Sequence, residues 1–364
     1  MKIGILTYYD VHNHGAVLQA NALKTVLERA GHEVTFLKFE RNYDFMPAGS
    51  GRKYSISIFS VPYYLKYLCK NGVGKFLYNV RKRALLNGFR KENFRIETAY
   101  NEFDGEIAIV GSDEVFSVEV GVNPFFYGHG VSAPQMFSYA ASFGPTTQDM
   151  IEKHGLETML RTGLQRFSAV SVRDHNSKEI VERTCGSEAV LVCDPVILYG
   201  YEAEQRKYEP KLKNYLLVYS YDKNMNDPHE TEAICRWARS KGWKVVSVGY
   251  YHDWCDLNIN ATPEELLGWI RKAEFVVTDT FHGSVLSLIC NTQFAVKLRN
   301  NKNKVQFLLE EYGLGNRVLS GFEQLEELRT NGIDYSAVNR VIEQNRARSE
   351  AFLGTQLEKS YDRD

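Results

Sequence analysis

Short, almost wholly apolar runs punctuate the chain, and each ends at a small, polar or charged residue. They are Lys2 to Thr7, Val34 to Leu37, Ile107 to Val110, Gln135 to Ala140, Ala169 to Val172 and Val190 to Cys193. Tyr215 to Tyr219, Lys244 to Val248 and Phe275 to Thr278 follow. Runs of this length that do not alternate with polar residues predict parallel strands buried on both faces. Helical spacing fills the gaps. Ala16 to Ala30 places Val17, Leu18, Leu23, Val26 and Leu27 on one side and closes at Gly31. Further helices are predicted from about Ser177, over about 228–241, over about 263–273 and over 284–290. At Thr262-Pro263-Glu264-Glu265 the threonine suits an N-cap, the proline the first helical position and Glu265 a capping box. Strand and helix in alternation predict an α/β fold with parallel sheets.

The runs fall into two sets. The charged, turn-rich stretch Tyr201 to Lys213, with Pro210, reads as a linker, and a second alternation of strand and helix begins after it. The expected organisation is an N-terminal α/β lobe over 1–200, a C-terminal α/β lobe over 201–333, and a last segment over 334–364. In that segment Asp334 caps a helix to about Leu357 that lies across the lobes. Segment 62–95 differs in character. Lys66, Lys70, Lys75, Arg81, Lys82, Arg83, Arg90, Lys91 and Arg95 are interleaved there with Tyr63, Tyr64, Tyr67, Phe76, Tyr78 and Phe89. Two readings stand: a pair of surface helices with snorkelling cations, or a patch that meets a membrane surface or an anionic, lipid-linked substrate.

Composition narrows the classes. With 364 residues the chain is long enough for two ordinary domains, and 44% apolar with 24% charged residues is globular. A net charge of -1 gives no field that draws the protein to nucleic acid. The six cysteines form no CxxC pair and no zinc spacing, so they read as reduced thiols of a cytoplasmic protein. MKIGILTYYD reads as a strand and not a signal peptide. No run approaches the roughly 18 apolar residues of a membrane span. The opening βαβ unit has one glycine in its turn, not GxGxxG, so a dinucleotide cofactor is not expected.

Candidate chemistry gathers at strand ends, where open α/β sheets bind ligands. Gly111-Ser112-Asp113-Glu114, Ala141-Ser142-Phe143-Gly144, Arg173-Asp174 and Asp194-Pro195 each end a run, as though on the lip of one cleft. The stretch Glu264 to Phe294 is the most telling. Its apolar strand stops at Asp279-Thr280-Phe281-His282-Gly283, and a second apolar helix follows from about Ser284. A helix N-terminus there offers backbone N–H groups and a positive dipole end to an anion. The plainer alternative is a capping turn with a surface histidine.

These motifs resemble the polysaccharide pyruvyl transferase family over nearly the whole chain. GILTYYDVHNHGAVLQANAL at the start, VGSDEVF at 110–116, YAASFG at 139–144, SVRD at 171–174, CDPV at 193–196 and VVTDTFHGSVLSLICN at 276–291 occur in order with family-like spacing. The resemblance implies two Rossmann-like lobes of the glycosyltransferase-B type, with the active site in the inter-lobe cleft. It implies an enzyme that moves the enolpyruvyl group of phosphoenolpyruvate onto two hydroxyls of a sugar as a ketal and releases phosphate. Such sugars are built into capsule, exopolysaccharide and cell-wall polymers. Phosphoenolpyruvate is then a co-substrate, and neither a metal nor another cofactor is demanded. In the family pattern the arginine of SVRD, here Arg173, and the histidine of FHG, here His282, carry the donor site. Arg173 suits a bidentate grip on carboxylate or phosphate, and His282 can bond the phosphate or donate a proton. Thr280, Gly283, Ser284 and Lys297 complete the expected donor set. One branch of the family has an arginine where this chain has Thr280, so the missing charge is sought in Lys297, Arg299, Lys302 or Lys304.

The acceptor is expected on the first lobe, at Asn13, His14, Gly15, Ser112, Asp113 and Ser142. Asp113 is the candidate base for a sugar hydroxyl, or else a cap for the turn after its strand. Asp194 reads as structural. Asp174 and Asp279 are candidates to orient Arg173 and His282, or else simple ion-pair partners. The basic segment makes a lipid-linked acceptor and peripheral contact with the inner membrane surface attractive. Two rivals remain: a nucleotide-sugar glycosyltransferase on the same frame, and a non-catalytic sugar- or anion-binding relative. A glutamate pair or glycine-rich loop in the second lobe would favour the former, and neither is evident.

Overall fold

The computed structural model describes residues 1–41, 61–299 and 302–361. In chain order, the first half contains β1 (Lys2–Leu6), α1 (His14–Arg29), β2 (Glu33–Lys38), α2 (Val61–Asn93), β3 (Ile96–Ala99), β4 (Ile107–Val110) and β5 (Gln135–Ser138). It continues with α3 (Gln148–Lys153), α4 (Glu157–Leu164), β6 (Val170–Val172), α5 (His175–Cys185), β7 (Ala189–Leu191) and α6 (Pro195–Tyr199). The second half contains β8 (Tyr215–Tyr219), α7 (Pro228–Ser240), β9 (Lys244–Val248), β10 (Leu257–Ile259), α8 (Pro263–Arg271), β11 (Phe275–Thr278) and α9 (Phe281–Ile289). After these come β12 (Phe294–Val296), α10 (Lys302–Glu311), α11 (Leu325–Thr330) and α12 (Tyr335–Tyr361).

All strand pairs among the described residues are parallel. The first sheet runs in the order β3-β2-β1-β4-β5, and an isolated bridge from Ala141 to Val172 carries it on to the β6-β7 pair. The second sheet runs β10-β9-β8-β11-β12. Numbered within its own lobe, each sheet has the order 3-2-1-4-5, so each reverses direction beside its first strand. In open α/β sheets that reversal opens a crevice at the carboxyl ends of the two strands involved. Here those strands are β1 and β4 in one lobe, and β8 and β11 in the other.

The central strands β1, β4, β8 and β11 are buried almost throughout, which explains their unbroken apolar runs. One hydrophobic cluster joins both lobes. It contains Ile5, Leu23 and Phe137 from the first, Leu217, Val276 and Leu286 from the second, and Leu353 from α12. The last helix starts on α9, where the Tyr335 hydroxyl donates to the Ser287 carbonyl (3.2 Å). It ends on the first sheet, where Gln135 donates to the Gln356 carbonyl (2.8 Å).

The capping box at Thr262 and Glu265 is present, with Pro263 at the head of α8. Three strands had no clear run in the sequence. β3 and β10 are edge strands with mixed burial, and β12 is three residues long. Two helix starts differ from expectation. α5 begins at His175, capped by Asp174, and α9 begins at Phe281 rather than at Ser284. Segment 62–95 is helical but interrupted at Gly72, where φ is 76° and the helix cannot continue. The side chains of Tyr63, Tyr64, Lys66, Tyr67, Cys69, Lys70 and Lys302 lie outside the described residues. The other five cysteines are free thiols. No described helix is long and apolar enough to cross a membrane.

Candidate active site

A cavity of about 340 Å³ opens where the two crevices face each other. Its lining follows the strand ends: Tyr8, Val11 and Asn13 after β1, Asp113 and Glu114 after β4, Tyr221 after β8, and Phe281 and His282 after β11. Arg41, beyond β2, and Lys304, on α10, add two cations. Both lobes therefore build the site.

His282 sits in the first turn of α9 and is buried. Its Nε2 is shut off from solvent and has no hydrogen-bond partner among the described residues. The ring packs on the N-terminus of α1. A Cβ placed on Gly15 would lie 2.2 Å from its Cγ, so only glycine lets the lobes approach this closely. Burial holds the imidazole below its ordinary pKa, against the opposing pull of the Asp194 and Asp113 carboxylates. The ring is therefore neutral near pH 7.

The N-termini of α1 and α9 converge on this cavity, and neither carries an acidic residue in its first turn. Asn13 caps α1 by accepting from the Gly15 amide (2.9 Å). Thr280 caps α9 by accepting from the Gly283 amide (2.9 Å). Two positive helix ends with Lys304 and Arg41 favour an anion. Lys304 is ion-paired with Glu114 across the lobes, and Arg41 is paired with Asp10 and lies over the Tyr8 ring at 4.7 Å.

Asp113 projects from the end of β4 with φ at 73°, a left-handed conformation that aspartate adopts more readily than most residues. Arg173 Nη2 donates to Asp113 at 3.0 Å, and Arg173 Nη1 donates to Asp194 at 2.8 Å. Burial alone would raise the Asp113 pKa, but Arg173, His282 and Lys304 together hold it below the usual carboxylate value. Asp113 is an ionised carboxylate aimed at the cavity.

Several expected site residues have other tasks. Arg173 is buried between two carboxylates and over the Phe281 ring (4.5 Å), so it orients Asp113 and Phe281 and does not line the cavity itself. Its partners are Asp113 and Asp194, not Asp174, which caps α5 and accepts from Ser142 (2.7 Å). Asp279 faces Arg299, Ser220 and Asn224 rather than His282. Lys297 is turned away, donating to the Ser320 carbonyl at 2.8 Å and lying near the Phe322 ring. Arg299 is bound to Glu230. Thr280, Gly283 and Ser284 are buried in the cap of α9, and a Cβ on Gly283 would collide with Thr278.

On the acceptor side, Asn13 and Asp113 face the cavity. His14, Ser112 and Ser142 are buried in the frame: His14 Nε2 meets the Ala261 carbonyl (2.8 Å), and Ser112 bonds Gln19. Of the four cations considered for the missing charge, Lys304 is the one seen in the cavity; the Lys302 side chain is not described. Sequence reading did not single out Tyr8, Arg41 or Tyr221. Each follows the carboxyl end of a parallel strand, the same signal that marked Asp113, so the rule was available for all three.

The family description polysaccharide pyruvyl transferase matches residues 13–300 of this chain. No curated protein matches. Among solved structures, the chain is similar to a provisionally assigned UDP-N-acetylglucosamine 2-epimerase from Listeria monocytogenes, at 11% identity and a TM-score of 0.57, covering 100% of this chain and 97% of that one. Similar too are a UDP-GlcNAc 2-epimerase from Methanocaldococcus jannaschii (12% identity, 94% and 99% covered, TM-score 0.49) and a glycotransferase of kitacinnamycin (11%, 99% and 98%, 0.49). At such identities the likeness concerns the fold: two Rossmann-like lobes of the glycosyltransferase-B type.

Proposed function

The chain belongs to the polysaccharide pyruvyl transferase family, and from that premise we propose that it transfers the enolpyruvyl group of phosphoenolpyruvate to two hydroxyls of a sugar, releasing phosphate. The observation that carries the reading is His282, which lines a cavity where two helix N-termini and two cations converge and whose buried Nε2 has no partner among the described residues. Phosphoenolpyruvate brings a carboxylate and a phosphate, and Lys304 and Arg41 would hold them with the helix-end amides. The bound anion raises the His282 pKa, so the ring takes up from solvent the proton that burial alone disfavours.

Proton traffic then closes. The His282 imidazolium protonates C3 of the enol while Asp113 takes the proton of the attacking hydroxyl, whose oxygen bonds to C2. The second hydroxyl attacks the same carbon, the C2–O bond to phosphate breaks, and that hydroxyl's proton returns to His282. The proton on Asp113 leaves with the phosphate. Arg173 keeps Asp113 ionised and aimed. For Lys304 to meet the donor, Glu114 must release it, so donor binding and loosening of that inter-lobe ion pair are coupled.

The acceptor in this reading is a sugar of a surface polysaccharide, presented on a lipid carrier at the cytoplasmic face of the membrane. On α2, Val73, Leu77 and Val80 are exposed on one face beside Arg81, a pattern that suits an anionic membrane surface.

Calorimetric titration with phosphoenolpyruvate tests the donor without knowledge of the acceptor. Wild type should bind, and His282→Gln should weaken binding by about tenfold, or about 1.4 kcal/mol. Binding of a UDP-sugar alone, with no response to phosphoenolpyruvate in its presence or absence, would reject the proposal.

A further inference from the structure

A second cavity, of about 420 Å³, lies at the carboxyl ends of β8 and β9, beside the first. Tyr251, Trp254, Asp222, Asp253, Asn226 and Lys75 line it. We infer that this is a subsite for a neutral sugar of the acceptor, next to the sugar that receives the ketal. The inference rests on the reading of the first cavity as the site of transfer.

Charge excludes the obvious alternative. Lys75 is already paired with Asp222 (3.3 Å), and Asp253 is exposed with no hydrogen bond or ion pair among the described residues. The lining is therefore net negative and repels phosphate or diphosphate. What remains is two aromatic rings, two carboxylates and an amide. Sugar C–H groups suit the electron-rich ring faces. Vicinal hydroxyls suit carboxylates and an amide, and the volume falls within the roughly 300–1,000 Å³ of small-molecule sites. Trp254 adds a buried indole N–H with no acceptor among the described residues, and a sugar oxygen can supply one.

The site is also pre-formed. His252 is buried and ties the loop after β9 to the end of β8, with Nε2 at 3.0 Å from the Ser220 carbonyl. Asn258 fixes the same loop through the His252 amide (2.7 Å), and Tyr78 meets the Tyr251 ring edge-on at 5.5 Å. Continuity with the reaction cavity comes from sequence neighbours. Tyr221 lines the first cavity and Asp222 the second, and consecutive Cα atoms stand about 3.8 Å apart. A saccharide chain leaving His282 past Tyr221 enters the second cavity with its next residue.

The test uses the full chain and fragments of the surface polysaccharide of the cell that makes it, stripped of ketals and cut to single sugars and tetrasaccharides. Affinities are measured by calorimetry for wild type, Trp254→Ala and Asp253→Asn, and phosphoenolpyruvate and UDP are titrated separately. Tetrasaccharides should bind wild type about tenfold more tightly than single sugars, and both variants should lose most of that advantage. Their affinity for phosphoenolpyruvate should stay within about twofold of wild type, and Asp253, being exposed and unpaired, can be changed without loss of the fold. Tetrasaccharide affinity unchanged in both variants would overturn the subsite, as would failure of every fragment to bind. UDP binding abolished by Trp254→Ala would overturn it too, because the cavity would then hold a nucleoside. If fragments behave as expected but phosphoenolpyruvate does not bind, the sugar subsite stands and the transfer reading falls.

Discussion

Arg173 shows how a charged residue in a signature motif can stand behind a cavity, held by carboxylates, without lining it. Its two bonds to Asp113 and Asp194 hold a buried cation between a buried carboxylate and a partly buried one at the lip of the cavity. Removing the cation leaves the buried Asp194 carboxylate unpaired and facing Asp113, and breaking a buried pair costs about 3–5 kcal/mol. Arg173→Ala should therefore lower the unfolding free energy by that amount in a denaturant titration, and a change below about 1 kcal/mol would show that the pair carries little. The motif singled out the arginine, but a sequence cannot say which carboxylates will surround it. Asp194 and Asp113 are 81 residues apart in the chain and meet only in the folded sheet. His14 makes a second case at this scale. It reads as a polar loop residue, yet it is fully buried, and burial, with Lys82 nearby, lowers its pKa to about 3. Its folded pKa is below its unfolded value of about 6.5, so the native state binds fewer protons and stability falls as pH drops below 6.5. Each such histidine steepens that loss by about 1.4 kcal/mol per pH unit. Asp279, pushed up to about 6 chiefly by burial, works in the opposite sense. Between pH 6 and 4 the stability of His14→Gln should fall less steeply than that of wild type by about 1.4 kcal/mol per unit. Parallel curves would place His14's pKa near its ordinary value.

Among the elements, strands of the sheet centre were legible because burial on both faces leaves a run with no polar interruption, as in Ile107–Val110 and Phe275–Thr278. Edge strands were not. Leu257-Asn258-Ile259 is partly exposed and mixes polar with apolar residues, so nothing separates it from a loop. The head of α9 shifted by three residues because Thr280 caps it through the Gly283 amide, whereas Ser284 has the composition of a cap and lies inside the helix. That shift matters, since it moves His282 from a loop beside the helix into its first turn and turns the ring toward Gly15. Helix α2 raises a different question, because Val73, Leu77 and Val80 are 63%, 59% and 52% exposed on one helical face. The cost of leaving such a face in water is removed if it meets lipid, and the exposed Arg81 and Lys91 add attraction to anionic headgroups. The full chain should co-sediment with vesicles containing phosphatidylglycerol, and Leu77→Glu should reduce the bound fraction several-fold while leaving the thermal midpoint unchanged. Equal sedimentation of the two proteins would remove α2 from any membrane contact.

At the scale of the whole molecule, the site depends on two lobes meeting in one fixed arrangement. Lobes joined by a small polar interface move against each other by default, whereas a large apolar interface holds them. The interface here is apolar: one hydrophobic cluster runs from β1 and α1 through α6, α8 and α9 to α12. Bonds between the lobes reinforce it, from His14 to the Ala261 carbonyl and from Tyr78 to the Ile259 carbonyl (2.8 Å each). Gly15 against His282 sets how close the two can come. No periodicity in the sequence reveals this, because each helix shows only that it has an apolar side, not that several sides face the same core. Two-lobed chains of this length commonly unfold in steps, but a shared core predicts one cooperative transition, with calorimetric and van't Hoff enthalpies equal. Leu353 on α12 is 4% exposed and belongs to the shared cluster, so Leu353→Ala removes buried volume from both lobes together and should cost about 2–5 kcal/mol. In differential scanning calorimetry that variant should shift the single transition downward without splitting it. A wild type with two resolved transitions, or a variant in which only one of them moves, would mean that the lobes hold separate cores and that His282 and Asp113 are brought together by closure instead of by folding.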